Sequence, residues 1–166
     1  MPVLPTQPDL MPPLLYFAYG SNMDPVQIRR RCPSFRFVAI ASLANHRLAF
    51  SRRSTRRRSG VADVVPAEGE EVWGVVYRLL SQRDIEVLDA AEGFNPVRRR
   101  GQGYTREIRV VAIGGMLPSR ANIYIAQRQK NPPPPTSAYI AHMTRGAVHW
   151  GLPAGYREML GNIENK

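Results

Sequence analysis

The sequence feature that most constrains the fold is a series of short strand-like segments that are apolar on both faces. The two clearest are residues 60–66 and 72–79, with a polar connection predicted at 66–71. Strands of this kind must be covered on both sides, which favours a closed or nearly closed sheet. Further strands are predicted at residues 14–19, 35–43, 46–50, 104–113 and 121–126.

Helices are predicted between some of these strands and at the end of the chain. Asp24-Pro25 is typical of an N-cap followed by proline at the first helical position. Ser81 and Thr136 are also typical N-caps, and Gly93 is a typical C′ residue. The segments do not alternate regularly between strand and helix, which disfavours a doubly wound nucleotide-binding fold and indicates an α+β fold.

The length of 166 residues predicts one domain. Residues 1–13 contain five prolines and are interpreted as a disordered tail, which leaves 14–166 as the domain. No apolar run approaches the roughly 20 residues that span a bilayer, and residues 1–13 do not resemble a signal peptide. We therefore expect a cytoplasmic protein without a membrane partner.

The cysteine and histidine content gives no indication of a metal site or of a cysteine nucleophile. Cys32 is the single cysteine, which excludes an internal disulfide, and it is expected to be a buried free thiol. His46, His142 and His149 lack the close spacing that is typical of zinc ligands. The sequence therefore predicts no metal.

The formal net charge of +10 is concentrated in arginine runs. Arginine supplies 21 of the 23 basic residues, and removing the runs within 52–58 and 98–100 leaves +2. Such runs can bind phosphate or RNA, but residues 51–60 contain no aromatic side chain that could stack on bases. We interpret residues 52–60 as a solvated loop and do not expect a nucleic-acid partner.

The segment Tyr19-Gly20-Ser21-Asn22 is the first candidate for chemistry. It leads from a predicted strand to a predicted helix N-terminus, so its backbone N–H groups could face a carboxylate or a developing oxyanion. Gly20 would allow a ligand to approach the backbone closely. The alternative is an ordinary strand–helix turn.

Glu92 and Tyr104 are the other two candidates. Glu92 lies at the C-terminal end of a predicted helix, where the helix dipole would raise its pKa and suit it to act as a general base. The alternative is a solvated surface glutamate. Tyr104 begins a predicted strand after the 101–103 loop and could border a site. The alternative interpretation is an ordinary half-buried tyrosine of the core.

Five blocks together, at residues 16–22, 60–66, 69–77, 88–93 and 151–156, resemble the γ-glutamylcyclotransferase family. The resemblance implies a small, mixed, largely closed β-barrel of about six strands flanked by helices. It also implies release of 5-oxoproline from a small-molecule γ-glutamyl substrate without a cofactor. Glu92 would then be the general acid/base, and the other implied site residues are Tyr19, Gly20, Ser21, Asn22 and Tyr104.

The resemblance leaves the leaving group open. The insertion at 94–102 and the residues around Gln129 depart from the pattern of similar animal enzymes. One alternative is therefore a cyclotransferase for γ-glutamyl amines or γ-glutamyl natural products. Another alternative is a basic RNA-binding module without catalysis. The sequence does not indicate an oligomeric state.

Overall fold

The sheet closes into a barrel in the computed structural model, which describes residues 14–97 and 103–164. Its strand order is β1-β3-β2-β4-β5. All neighbouring strands are antiparallel except β1 and β5, which pair in parallel where Tyr16 faces Asn122 and so close the barrel. The strands are β1 (Leu14–Ala18), β2 (Arg36–Ser54), β3 (Ser59–Leu79), β4 (Tyr104–Ile113) and β5 (Leu117–Ala126).

The helices flank the barrel, and their ends are fixed by the caps that the sequence predicts. Asp24 accepts a hydrogen bond from the Val26 amide, and Ser81 and Thr136 cap their helices in the same manner. Gly93 ends its helix in the left-handed conformation, at φ 68°. The helices are α1 (Pro25–Arg31), α2 (Gln82–Glu92), α3 (Ser137–Trp150) and α4 (Ala154–Gly161), with a 3₁₀ turn at Ser21–Met23.

The α+β fold and the closed barrel are confirmed, but the described residues form five strands where about six were expected. The predicted connection at 66–71 is wrong, because these residues belong to β3, and Pro66 and Glu71 pair with His46 and Ala44 of β2. Residues 67–70 are not paired in this register and form a bulge opposite Asn45. Asn45, at φ 56°, accepts a hydrogen bond of 3.1 Å from the Gly69 amide there. The polar residues are thus accommodated as a bulge within one long strand.

The prediction of a solvated loop at 52–60 is also wrong for most of these residues. Strand pairing continues through Arg52 to the pair Ser54 and Ser59, and the turn occupies only residues 55–58. Ser59 and Gly60 are buried, and the Gly60 amide donates to the Pro134 carbonyl over 3.1 Å. This pairing holds the arginine-rich turn in a defined place beside the barrel.

Helix α3 packs directly against the segment that follows β1. Trp150 Nε1 donates a hydrogen bond of 2.8 Å to the Met23 carbonyl, and Gly146 lies against the Met23 backbone. Residues 19–23 are therefore fixed between the barrel and a helix.

In the described part of the chain no helix is both long and apolar enough to cross a membrane. The predicted tail at 1–13 and the arginine run at 98–100 lie outside the described residues.

Candidate active site

The 19–22 segment is a buried turn that leaves β1 and enters the 3₁₀ turn before α1. The Met23 amide donates to the Gly20 carbonyl over 3.1 Å, which closes the turn. A Cβ on Gly20 would lie 3.1 Å from the Tyr139 hydroxyl oxygen and 3.3 Å from Ala62 Cβ, so a larger residue would have to displace these neighbours slightly.

Asn22 is the centre of a side-chain hydrogen-bond network. Its Nδ2 donates to the Tyr16 hydroxyl over 2.9 Å and to Glu92 Oε1 over 3.2 Å. Its Oδ1 accepts from Gln27 Nε2 and from Arg31 Nη1, both at 2.8 Å. Because all donors and acceptors of this buried amide are used, its orientation is fixed.

Glu92 is the last residue of α2, and its carboxylate points into the protein. Its side chain is 17% exposed, and Oε1 lies 3.6 Å from Arg31 Nη1. Burial raises the pKa of the Glu92 carboxyl, and Arg31, Arg57 and the Asn22 hydrogen bond offset only part of that rise. A raised pKa was expected, but its main cause is loss of hydration rather than the helix dipole. The alternative of a solvated surface glutamate is wrong.

Two tyrosine hydroxyls face the same region from different elements. Tyr139 on α3 is 5% exposed, and its hydroxyl oxygen accepts from the Ala62 amide over 3.1 Å. Its own proton makes no hydrogen bond to the described residues and is available to a ligand. Tyr104 is half-buried, and its hydroxyl donates to the Ala62 carbonyl over 2.6 Å. Burial raises the pKa of both tyrosines, so both stay protonated at neutral pH.

These groups line two connected spaces. The inner recess measures about 30 Å³, and the outer cavity measures about 300 Å³. Ser21, Glu92, Tyr104 and Tyr139 line both, so the Glu92 carboxylate lies where the two meet. All six residues predicted from the sequence line the recess: Tyr19, Gly20, Ser21, Asn22, Glu92 and Tyr104.

Comparison with known proteins assigns the chain to a family. The sequence model described as gamma-glutamyl cyclotransferase, AIG2-like, matches residues 16–141. The chain belongs to this family. It is 34% identical to the gamma-glutamylcyclotransferase of Mus musculus over 154 residues, which are 90% of this chain and 78% of the mouse protein. The human protein of the same name is 32% identical over 154 residues, which are 90% of this chain and 78% of the human protein.

The fold comparison agrees with the sequence comparison. A solved structure named gamma-glutamyl cyclotransferase superimposes with a TM-score of 0.80 at 29% identity, and it covers 93% of this chain and 90% of that chain. The predicted γ-glutamylcyclotransferase resemblance is thereby confirmed. The chain is an enzyme of the cyclotransferase class, and the recess and cavity around Glu92 are the candidate active site of this family member.

Sequence reasoning missed several residues of this site. Tyr139 follows the Thr136 N-cap by three residues on the buried face of α3, a position that is equally typical of core tyrosines. Gln27 and Arg31 lie on α1, one turn apart, and both reach back to Asn22. Arg57 was assigned to a solvated loop because its neighbours are polar. The close spacing of the arginines in residues 52–58 was the one feature of the sequence that could have indicated a role for Arg57 in the site.

The described residues give no place for a metal or a cysteine nucleophile in this site. They contain no group of three or more histidine, cysteine, aspartate or glutamate side chains placed to hold a metal ion. Cys32 is buried away from the cavity, and burial raises the pKa of its thiol to about 12. The functional groups that line the candidate site are a carboxylate, hydroxyls, an amide and guanidinium groups.

Proposed function

We propose that this family member releases 5-oxoproline from a γ-glutamyl amino acid or dipeptide, with Glu92 as the general acid/base. The observation that carries the proposal is the position of the Glu92 carboxylate between a narrow polar recess and a larger open cavity. A γ-glutamyl substrate would hold its ring-forming half beside Glu92, with only a small polar group entering the recess, and its leaving half in the outer cavity. The raised pKa of Glu92 makes its carboxylate a stronger base than an exposed glutamate.

The substrate supplies its own nucleophile in this reaction. Its α-amine, with a pKa of about 8, is mostly protonated at neutral pH and must lose a proton before it attacks. Glu92 takes that proton, and the nitrogen then bonds to the γ-carbonyl carbon and closes a five-membered ring. The bond from that carbon to the leaving nitrogen breaks as Glu92 returns the proton to that nitrogen. The ring nitrogen loses its second proton on closure, and the departing amine takes it and leaves as an ammonium.

Enclosure of the substrate accounts for a further part of the rate. Ring closure requires the extended γ-glutamyl chain to fold so that its amine meets its own γ-carbonyl. The amine and the γ-carbonyl already belong to one molecule, so the enzyme contributes by fixing the rotatable bonds between them in a near-attack conformer. The tyrosines and the fully hydrogen-bonded asparagine beside Glu92 form a rigid surface against which that conformer is held.

The Tyr139 hydroxyl is the candidate donor to the oxygen that becomes negative when the ring closes. The Ala62 amide donates to its oxygen, which strengthens the hydroxyl as a donor. Preorganised donors of this kind contribute strongly when they are aimed at developing charge.

The proposal is tested by incubating the protein with γ-glutamyl-alanine and measuring 5-oxoproline. Glu92→Gln keeps the shape of the side chain and removes the base, so we expect a rate about 10²–10⁴-fold lower than that of the wild type. Glu86→Gln is the matched control, because Glu86 is an exposed residue on the same helix. A Glu92→Gln variant that keeps the wild-type rate would falsify the assignment.

A further inference from the structure

Arg57 lies in the wall of the outer cavity, although it belongs to the arginine-rich turn between β2 and β3. Three contacts fix its guanidinium. Nη2 donates to Gln27 Oε1 over 2.6 Å and lies 3.4 Å from Ser21 Oγ. The guanidinium carbon also lies 5.4 Å from the centre of the Tyr139 ring, which is cation–π distance. A long side chain held at three points is a preorganised binding group.

This guanidinium makes no direct ion pair among the residues that the structure describes, and the Glu92 carboxylate acts on it only from a greater distance. No carboxylate lies within 4.0 Å of it in residues 14–97 and 103–164, and both of its side-chain hydrogen bonds there are made by Nη2. Nε and Nη1 are therefore unused by the described part of the chain. A half-buried cation without a direct ion-pair partner is costly, and burial lowers the pKa of Arg57 although Glu92 opposes that shift. An anionic ligand in the cavity would remove that cost.

The neighbouring arginines are occupied or exposed. Arg31 donates to Asn22 and approaches Glu92, and Arg52 Nη1 donates to the Gln127 carbonyl over 3.0 Å. Arg53 and Arg56 line the same cavity but are exposed to solvent. Arg57 is thus the partly buried arginine of the cavity wall whose guanidinium edge is open to a ligand.

We propose that Arg57 is a specificity-determining residue that binds a carboxylate on the leaving half of the substrate. This inference rests on the proposed function. If the reacting bond lies beside Glu92, the leaving half occupies the outer cavity, where Arg57 forms part of the wall. Arginine binds carboxylates through two parallel N–H bonds, and Arg57 has Nε and Nη1 available for them. The enzyme would therefore select γ-glutamyl amino acids over γ-glutamyl amines.

Arg57 could influence activity in another way, which the experiment must separate. Its charge lowers the pKa of Glu92, so removing it would change the catalytic base. That effect, like a loss of contact with the glutamyl half, falls equally on every γ-glutamyl substrate. Only a contact with the leaving half depends on whether that half has a carboxylate.

The test compares two substrates that differ by that carboxylate alone, γ-glutamyl-alanine and γ-glutamyl-ethylamide. For the wild type we expect kcat/KM to be about 10–100-fold higher with γ-glutamyl-alanine, the range of a charge-assisted hydrogen-bonded pair. Arg57→Gln should remove most of this preference, and Arg57→Lys should keep part of it. Arg58→Gln is the matched control, since Arg58 belongs to the same turn but is exposed and does not line the cavity.

Each outcome decides the proposal. Equal losses with both substrates, or an unchanged preference in a folded Arg57→Gln variant, would overturn it. If that variant does not fold, Arg57→Lys carries the test, because a full retention of the preference would contradict bidentate binding. If the wild type forms no 5-oxoproline from either substrate, the proposed function fails instead. Calorimetric affinities for the two compounds then decide the Arg57 proposal, which equal affinities would overturn.

Discussion

Asn22 Nδ2 lies 3.2 Å from Glu92 Oε1, and Arg31 Nη1 contacts both residues, at 2.8 Å from Asn22 Oδ1 and 3.6 Å from Glu92 Oε1. The amide and the guanidinium therefore hold the carboxylate from the loop side of the recess. Both stabilise its charged form, while burial opposes it. Asn22 and Arg31, at the two ends of the segment that leads into and through α1, thus lower the proton affinity of the proposed base against the larger effect of burial.

The first prediction concerns the pH dependence of Asn22→Ala. The hydrogen bond from Asn22 lowers the pKa of Glu92, so its loss should raise that pKa further. The base is active when deprotonated, and the acidic limb of the kcat/KM profile should therefore move to higher pH. The rate above this limb should also fall, because Glu92 loses a positioning contact.

The measurement for Asn22→Ala is a full pH–rate profile of 5-oxoproline formation. Asn162→Ala is a suitable control, since Asn162 ends α4 and does not line the recess or the cavity. An acidic limb that stays in place, or that moves to lower pH, would show that Asn22 does not tune the base.

The second prediction concerns ionic strength. Arg31, Arg52, Arg53, Arg56 and Arg57 line the outer cavity, and Glu92 supplies the carboxylate among the described lining residues. Such a surface should attract an anionic substrate, and salt should screen the attraction. We expect kcat/KM for γ-glutamyl-alanine to fall several-fold between about 0.01 M and about 0.15 M salt, where the Debye length shortens from roughly 30 to 8 Å.

The same salt series on γ-glutamyl-ethylamide serves as the comparison. This compound lacks one carboxylate, so its kcat/KM should depend less steeply on salt. Salt-independent kcat/KM values for both substrates would mean that the cavity arginines play no part in substrate capture.

The third prediction concerns the contact between α3 and the active-site turn. A Cβ on Gly146 would lie 2.3–2.5 Å from the carbonyl carbon, the oxygen and Cβ of Met23. Gly146→Ala must therefore displace Met23, which follows Asn22 and whose carbonyl binds Trp150. We expect a loss of stability of about 1–3 kcal/mol together with a loss of activity.

Gly155→Ala is the matched control for this prediction. Gly155 is helical in α4, and a Cβ there would meet no heavy atom within 4 Å. Alanine should then be neutral or stabilise the protein by up to about 1 kcal/mol, because it is the better helix former. Thermal melting and 5-oxoproline assays of both variants are the measurements. Wild-type stability in Gly146→Ala would contradict the packing described here.

The parts of this fold that the sequence predicted correctly depend on local chemistry. Asp24, Ser81 and Thr136 cap their helices through contacts within three residues, so a single sequence contains the signal. The errors concern long-range pairing. Residues 66–71 look like a loop, but β2 supplies partners for both ends of the segment. Arg57 likewise reaches the site only because strand pairing brings its turn beside residues 21 and 27.

The fourth prediction concerns Asp24, which joins the active-site turn to α3. Its buried carboxylate accepts from the Val26 amide, and Oδ2 lies 2.6 Å from His142 Nδ1 and 2.8 Å from Arg145 Nη2. Burial would raise the pKa of Asp24, but Arg145, His142 and the Val26 amide outweigh it and lower the pKa below 3.8. The charged carboxylate therefore stabilises the folded protein at pH values above the ordinary pKa of aspartate. This contribution disappears as the pH falls through the lower pKa of Asp24 in the folded state.

Asp24→Asn keeps a capping oxygen and removes the charge. At pH 7 we expect a loss of about 1.5–3 kcal/mol, the range for hydrogen bonds to a charged group, and a Tm lower by roughly 3–10 °C. The difference in Tm from the wild type should narrow as the pH falls below 3.8, because the wild-type carboxyl then loses its charge as well. Thermal melts from pH 7 to about pH 2 check this. A Tm difference that stays constant over the whole range would show that the charge of Asp24 contributes nothing to the junction between α1 and α3.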